Sequence, residues 1–176
     1  MPAQRQRLSS VQFNVQPPLS DRIIQWGLDH FHDEDIFTDL DNDFYGLEDE
    51  PHVTVLYGLH TDDPEPVAKL LRQVRPFSVM MGPHGVFSSK EVFDVVMIEV
   101  ISRELMRLNA MLRRQLPHTT AYEYHPHLTL AYLKKGKAWQ YRKHDCFANE
   151  VCWVKELVFS GPHDKVTLPL NTDVSY

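Results

Sequence analysis

The sequence predicts an α+β protein of two similar lobes, each built on antiparallel or mixed strands with helices on its outer face, flanking a central groove. Three observations carry that expectation. Segments with the two-residue alternation of half-buried strands are separated by segments of helical spacing. The order strand, helix, strand is written twice, and each copy closes on the same short strand motif, at residues 52–57 and 127–133. With 176 residues, 43% of them hydrophobic and 24% charged, the chain can bury one sizeable core, so residues 1–176 are expected to form a single domain.

Taken in order, residues 10–16 alternate Val11, Phe13 and Val15 with polar side chains and predict a strand. Pro17 and Pro18 end it. Ser20 is the expected N-cap of a helix carrying Ile23, Ile24, Trp26, Gly27, Leu28 and Phe31, with Asp21 near its positive end. Residues 33–50 turn acidic and read as a long connection into the strand at 52–57. A helix opening at 62–66 follows, with Val67, Leu70, Leu71 and Val74 on one face. Residues 77–81 and 93–100 read as paired strands, with GPHG at 82–85 as a turn. Ser102 caps a helix whose apolar stripe is Leu105, Leu108, Met111, Leu112 and Leu116, and Pro117 stops it. After the strand at 127–133, residues 151–159 and 165–170 are two further strands about a turn at 160–164.

Composition narrows the classes. No apolar run approaches the roughly 20 residues needed to span a bilayer, and residues 1–16 lack the apolar centre of a signal peptide, which predicts a cytoplasmic protein without membrane contact. Cys146 and Cys152 have no metal or redox spacing and are expected to be reduced thiols. A net charge of -6 argues against gripping long nucleic acid, which demands clustered Lys and Arg, but leaves room for a small nucleotide or oligonucleotide. The chain is expected to act as a monomer.

The chemistry resides in two His-x-Thr strands. Alternation places His52 with Thr54, and His127 with Thr129, on one face of each strand. Val53, Val55 and Tyr57, like Leu128, Leu130 and Tyr132, then fall on the opposite face, which assigns both tyrosines to the core. In-line cleavage of a phosphodiester removes a proton from the attacking oxygen and delivers one to the leaving oxygen, and two imidazoles across a groove suit that task near neutral pH. The threonine hydroxyls can donate to the non-bridging phosphate oxygens. One His-x-Thr is a common accident. Two, each preceded by proline (Pro51, Pro126) and followed by apolar tails VLYGL and LAYL at equivalent points of a doubled pattern, are not.

These residues carry a resemblance. PHVTVLYGL and PHLTLAYL resemble the paired signatures of the 2H phosphoesterase superfamily, which includes RNA ligase-like proteins and cyclic phosphodiesterases. GPHGVF leading into FDVVMIEV, and the helix SRELMRLNAMLRRQL, are similar to the corresponding parts of that family. The resemblance implies a bilobal fold and a phosphodiester hydrolase with catalytic His52, Thr54, His127 and Thr129, needing neither metal nor cofactor. AYEYHPHLTLAY is also similar to the second motif of phage enzymes that destroy the cyclic oligonucleotide messengers of CBASS immunity, which would place the protein in a host cytoplasm. Glu48, Asp49 and Glu50 depart from RNA-end-processing members, which carry basic or neutral residues there. The departure favours a small substrate: a cyclic oligonucleotide, a 2′-5′ oligonucleotide or a 2′,3′-cyclic phosphate. Which histidine is acid and which base stays open. The rival reading is a nucleotide sponge or sensor that keeps the groove without turnover.

Tyr124, His125 and Lys134 beside the second motif, with Lys135 and Lys137, are substrate-binding candidates, since an aromatic ring can stack on a base and a lysine can meet a phosphate. His84, in the glycine-rich turn, is a further candidate for the groove. Asp39, Asp41, Asp43 and Glu50 fall on a calcium-loop pattern, but Phe44 stands where the loop needs glycine and Glu50 leads into a strand. Zinc on His84, His125 and His127 would leave the threonines without a role, so no metal is expected. Trp26, Trp139 and Trp153 are assigned to packing.

Overall fold

The computed structural model describes residues 8–88 and 92–173. In chain order the elements are β1 (Ser9–Asn14), α1 (Leu19–His30), β2 (His52–Leu59), α2 (Glu65–Leu71), β3 (Phe77–Ser88), β4 (Phe93–Ile101), α3 (Arg103–Gln115), β5 (His127–Lys134), β6 (Val151–Val154), β7 (Glu156–Ser160) and β8 (Lys165–Pro169). The eight strands form one antiparallel sheet in the order β6-β3-β4-β5-β2-β1-β7-β8. Between β5 and β2 the ladder narrows to a single pair, Val53 with Leu128. That seam divides the sheet into a His52 half (β2, β1, β7, β8) and a His127 half (β5, β4, β3, β6), so the bilobal α+β architecture stands, with its two sheets fused at one point.

The helices knit the halves together. α1 follows β1 in the chain yet packs against β5, and α3 precedes β5 yet lies on β2. Each half is therefore covered by a helix that belongs in sequence to the other. Leu105, Leu108 and Leu112 of α3 and Leu19 and Ile23 of α1 are buried in one continuous core, and the side-chain amide of Asn109 donates to the Val55 carbonyl at 2.7 Å. Ser102 caps α3 as expected, its hydroxyl accepting the Leu105 N–H at 3.1 Å. Among the described residues no helix is long and apolar enough to cross a membrane.

Four expectations need correction. α1 starts two residues early, with Pro18 at the N-cap position and no side-chain cap, and Ser20 is buried inside the helix. GPHG is not a turn: β3 runs through it, and a one-residue bulge between Met81 and His84 absorbs the irregularity. The single strand expected at 151–159 is two, broken at Lys155, with β6 pairing on β3 and β7 on β1, at opposite ends of the sheet. Local alternation cannot reveal such a change of partner. Trp26 packs among Phe31, His84 and Phe147, but Trp139 and Trp153 are 50% and 62% exposed.

Candidate active site

The two motif strands are built alike. Both follow the burial order half-buried, buried, half-buried, buried, buried, and in both the fourth residue, Val55 in β2 and Leu130 in β5, is an extra residue bulged against the neighbouring strand. His52, Thr54, His127 and Thr129 come before the bulge and keep the expected alternation, away from the buried Val53 and Leu128. After the bulge the faces exchange. Leu56 and Ala131 enter the core, and Tyr57, 57% exposed, leaves it. Tyr132 is half-buried against Phe44, Tyr45 and Phe93, with its phenol pushed up by burial and by the neighbouring Glu48 and Tyr45. The core assignment of both tyrosines fails for this one reason, because a bulge reverses a period of two.

The antiparallel register at Val53 and Leu128, continued by one residue each way, sets His52 across from Thr129 and His127 across from Thr54. Each imidazole is fixed by the same device. Nδ1 of His52 donates to the Glu50 carbonyl at 2.8 Å, and Nδ1 of His127 donates to the His125 carbonyl at 2.7 Å. A carbonyl can only accept, so Nδ1 keeps its hydrogen and Nε2 is the nitrogen left for chemistry. Among the described residues neither threonine hydroxyl has a hydrogen-bond partner, leaving both to donate to a ligand.

Beyond the seam pair, the segments preceding each motif close the exposed strand edges. Residues 37–48 lie along β5, with Phe37 N–H to the Tyr132 carbonyl at 2.9 Å and Glu48 N–H to the Leu130 carbonyl at 3.0 Å. Residues 117–120 lie along β2, with Thr119 N–H to the Gly58 carbonyl at 2.9 Å. Gly58, at φ +82°, is required there, since a Cβ would stand 2.4 Å from the Thr119 hydroxyl. The acidic connection thus has a structural task that its composition did not reveal.

The surroundings of the two histidines differ. Glu48 Oε2 lies 3.5 Å from His52 Nδ1, and burial raises the Glu48 carboxyl against the lowering effect of His52. Asn14 and Gln12 stand opposite His52 and Thr54 on β1. Glu50 bonds Asn14 and the Lys165 ammonium, which holds its carboxyl below the usual range. His127 instead meets Phe87 in a T-shaped arrangement, with ring centres 4.8 Å apart, and Met97 and Glu99 stand opposite Thr129 and His127 on β4. Burial holds its imidazole below the ordinary value, and the charges of His52 and His125 act in the same direction.

Of the further candidates, His125 lines a cleft beside His127, and its carbonyl anchors that ring. Tyr124 is turned into the fold, its hydroxyl donating to the Thr54 carbonyl at 3.0 Å, so it braces β2 across the seam. Lys134 donates to the Glu34 carbonyl at 2.5 Å. His84 does not line the groove. It is 3% exposed, packed against Trp26, His144 and Phe147, with burial taking its imidazole down to about 4. With GPHG inside a strand instead of a turn, the bulge delivers His84 to the core face. Among the described residues no three His, Cys, Asp or Glu side chains converge in metal-binding geometry. Asn14, Phe87, Met97 and Glu99 escaped the sequence reading, since only strand pairing brings them to the motifs, whereas Glu48, noted there only for its charge, reaches His52 from four residues upstream.

Two imidazoles, each pinned through Nδ1, thus stand on either side of the seam of an antiparallel sheet. The profile of the 2′-5′ RNA ligase superfamily matches residues 29–159, and the chain belongs to this superfamily, among the 2H phosphoesterases. Its enzymes are phosphoesterases and ligases, which sets the coarse class of the chemistry. Among solved structures, the fold is similar to Escherichia coli LigT complexed with 3′-AMP (TM-score 0.63, 20% identity, 96% of this chain and 100% of that one). It is similar to Kluyveromyces marxianus Usb1 with uridine monophosphate (TM-score 0.61, 12% identity, 93% and 99%). TT0787 of Thermus thermophilus is a third such structure (TM-score 0.64, 14% identity, 92% and 97%). No curated protein sequence matches the chain.

Proposed function

We propose that the protein is a phosphodiesterase that cleaves a small nucleotide by proton transfer between His52 and His127, with Thr54 and Thr129 donating to the phosphate. The observation that carries the reading is the matched anchoring of both Nδ1 atoms, at 2.8 and 2.7 Å, on carbonyls two residues upstream. It leaves two Nε2 atoms, one from each half, as the acid and the base. The lowered imidazole of His127 favours the neutral form and so the base, which takes the proton from water or from a ribose 2′-hydroxyl. His52, beside the Glu48 carboxyl, then delivers a proton to the leaving oxygen. Attack by a 2′-hydroxyl would give a 2′,3′-cyclic phosphate, and hydrolysis of that ring would use the same pair again.

The substrate range is a cyclic oligonucleotide, a 2′-5′ oligonucleotide or a 2′,3′-cyclic phosphate, and a cyclic messenger of bacterial immunity falls within it. Solved neighbours that hold 3′-AMP or uridine monophosphate support a small nucleotide. The test is product formation on 2′,3′-cyclic nucleotides, 2′-5′ oligoadenylate and cyclic di- and trinucleotides, with and without excess EDTA. Turnover that survives chelation is expected. Binding without product on every member, or loss on chelation restored by a metal, would overturn the reading.

A further inference from the structure

The residue opposite the histidine on the neighbouring strand is Asn14 in one half and Glu99 in the other. Asn14 is consumed locally. Its Nδ2 donates to Glu50 Oε1 at 2.7 Å and its Oδ1 accepts from Gln12 Nε2 at 2.9 Å. Glu99 is exposed, and among the described residues its carboxylate makes no hydrogen bond or ion pair.

Glu99 stands in an open cleft of about 280 Å³ beside His127, lined otherwise by the apolar side chains of Phe87, Met97 and Ile101 and by His125 and Pro126. Two glycines shape it. A Cβ on Gly85 would stand 2.5 Å from Met97 Cε and 3.6 Å from Glu99 Oε1, and one on Gly82 would stand 3.2 Å from Glu99 Cβ. Bare backbone on β3 therefore lets the β4 side chains lie across it, giving an apolar floor with a single carboxylate.

We propose that this cleft holds the nucleobase next to the cleaved phosphate and that Glu99 selects guanine. The inference rests on the phosphodiesterase reading and adds the identity of the base. An apolar floor suits the face of a base, and an ionised carboxylate is acceptor-only, with two oxygens side by side. The guanine edge presents N1–H and the N2 amine as parallel donors that match it. Adenine and cytosine offer one amine beside a ring acceptor that repels the second oxygen. Uracil sets one N–H between two carbonyls.

The experiment is titration calorimetry with 3′-GMP, 3′-AMP, 3′-CMP and 3′-UMP on the wild type, Glu99→Gln and Glu99→Ala, with melting curves to confirm folding. The wild type should bind 3′-GMP about 10–100-fold more tightly than 3′-UMP, the range of a charge-assisted hydrogen-bond pair. Glu99→Ala should bind all four within a few fold. Glu99→Gln, which keeps the shape but offers one acceptor and one donor, should lose the guanine preference. On a guanine-containing diester both variants should raise KM more than they lower kcat. Equal wild-type affinities, or a preference that survives Glu99→Ala, would overturn the guanine assignment. Guanine-selective binding with no turnover of any diester would instead retain the base site and sink the catalytic reading.

Discussion

The His52 half and the His127 half carry the same mechanical parts in different surroundings. In both, proline precedes the histidine, Nδ1 is tied to the carbonyl two residues back, and a bulge follows at the fourth residue. In both, the segment before the motif closes the open strand edge. Around His52 the side chains are polar and already bonded to one another: Gln12, Asn14, Glu50 and Lys165. Around His127 they are Phe87, Met97 and Ile101, with Glu99 outside any bond among the described residues. In the proposed reaction the duplicated parts place two proton carriers about one phosphate. The unlike surroundings give the groove a direction, with a base-accepting side and a polar side.

Substituting either histidine tests the shared part most severely. His52→Ala and His127→Ala should each cut kcat by about 10²–10⁴-fold, the usual contribution of a positioned acid or base, with melting temperatures near wild type. A half whose histidine could be removed at little cost would break the equivalence. Thr54→Val and Thr129→Val should cost less, about 10–1,000-fold in kcat/KM, by loss of a donor to the phosphate.

The supports beneath the halves differ too, and stability measurements separate them. Asn109→Ala leaves the Val55 carbonyl without its partner in the layer between α3 and β2, and chemical denaturation should record a loss of about 1–3 kcal/mol. On the other side, His84 is buried with its imidazole taken from the ordinary 6.5 down to about 4. A depressed histidine contributes stability that is complete above the unfolded value and is lost as pH falls through the window from 6.5 to about 4. His127 acts in the same direction, so His84→Phe should flatten the acid side of a melting-temperature profile without abolishing its slope.

The smallest effect expected is on the pH-rate profile. As the proposed base, His127 must be neutral, so the acidic limb of kcat/KM should lie below the ordinary imidazole value. Phe87→Ala admits water to that ring and should move the limb upward. A limb that stays fixed would detach the lowered imidazole from its apolar surroundings.

The sequence by itself determined the fold class, most of the elements and the four residues of the two motifs, because each depends on a short period and a few neighbours in the chain. Alternation sets His52 beside Thr54 and His127 beside Thr129 whatever pairs with their strands. It failed where one added residue reverses it, sending Tyr57 and Tyr132 out of the core, and where the same device carried His84 into it. Only the tertiary structure decided that residues 151–159 serve both ends of the sheet and that each half takes the other's helix. Only it decided that Asn14 faces His52 while Glu99 faces His127. Those are facts of strand pairing between residues far apart in the chain, and pairing is fixed by the packing of the whole core, which no local period encodes.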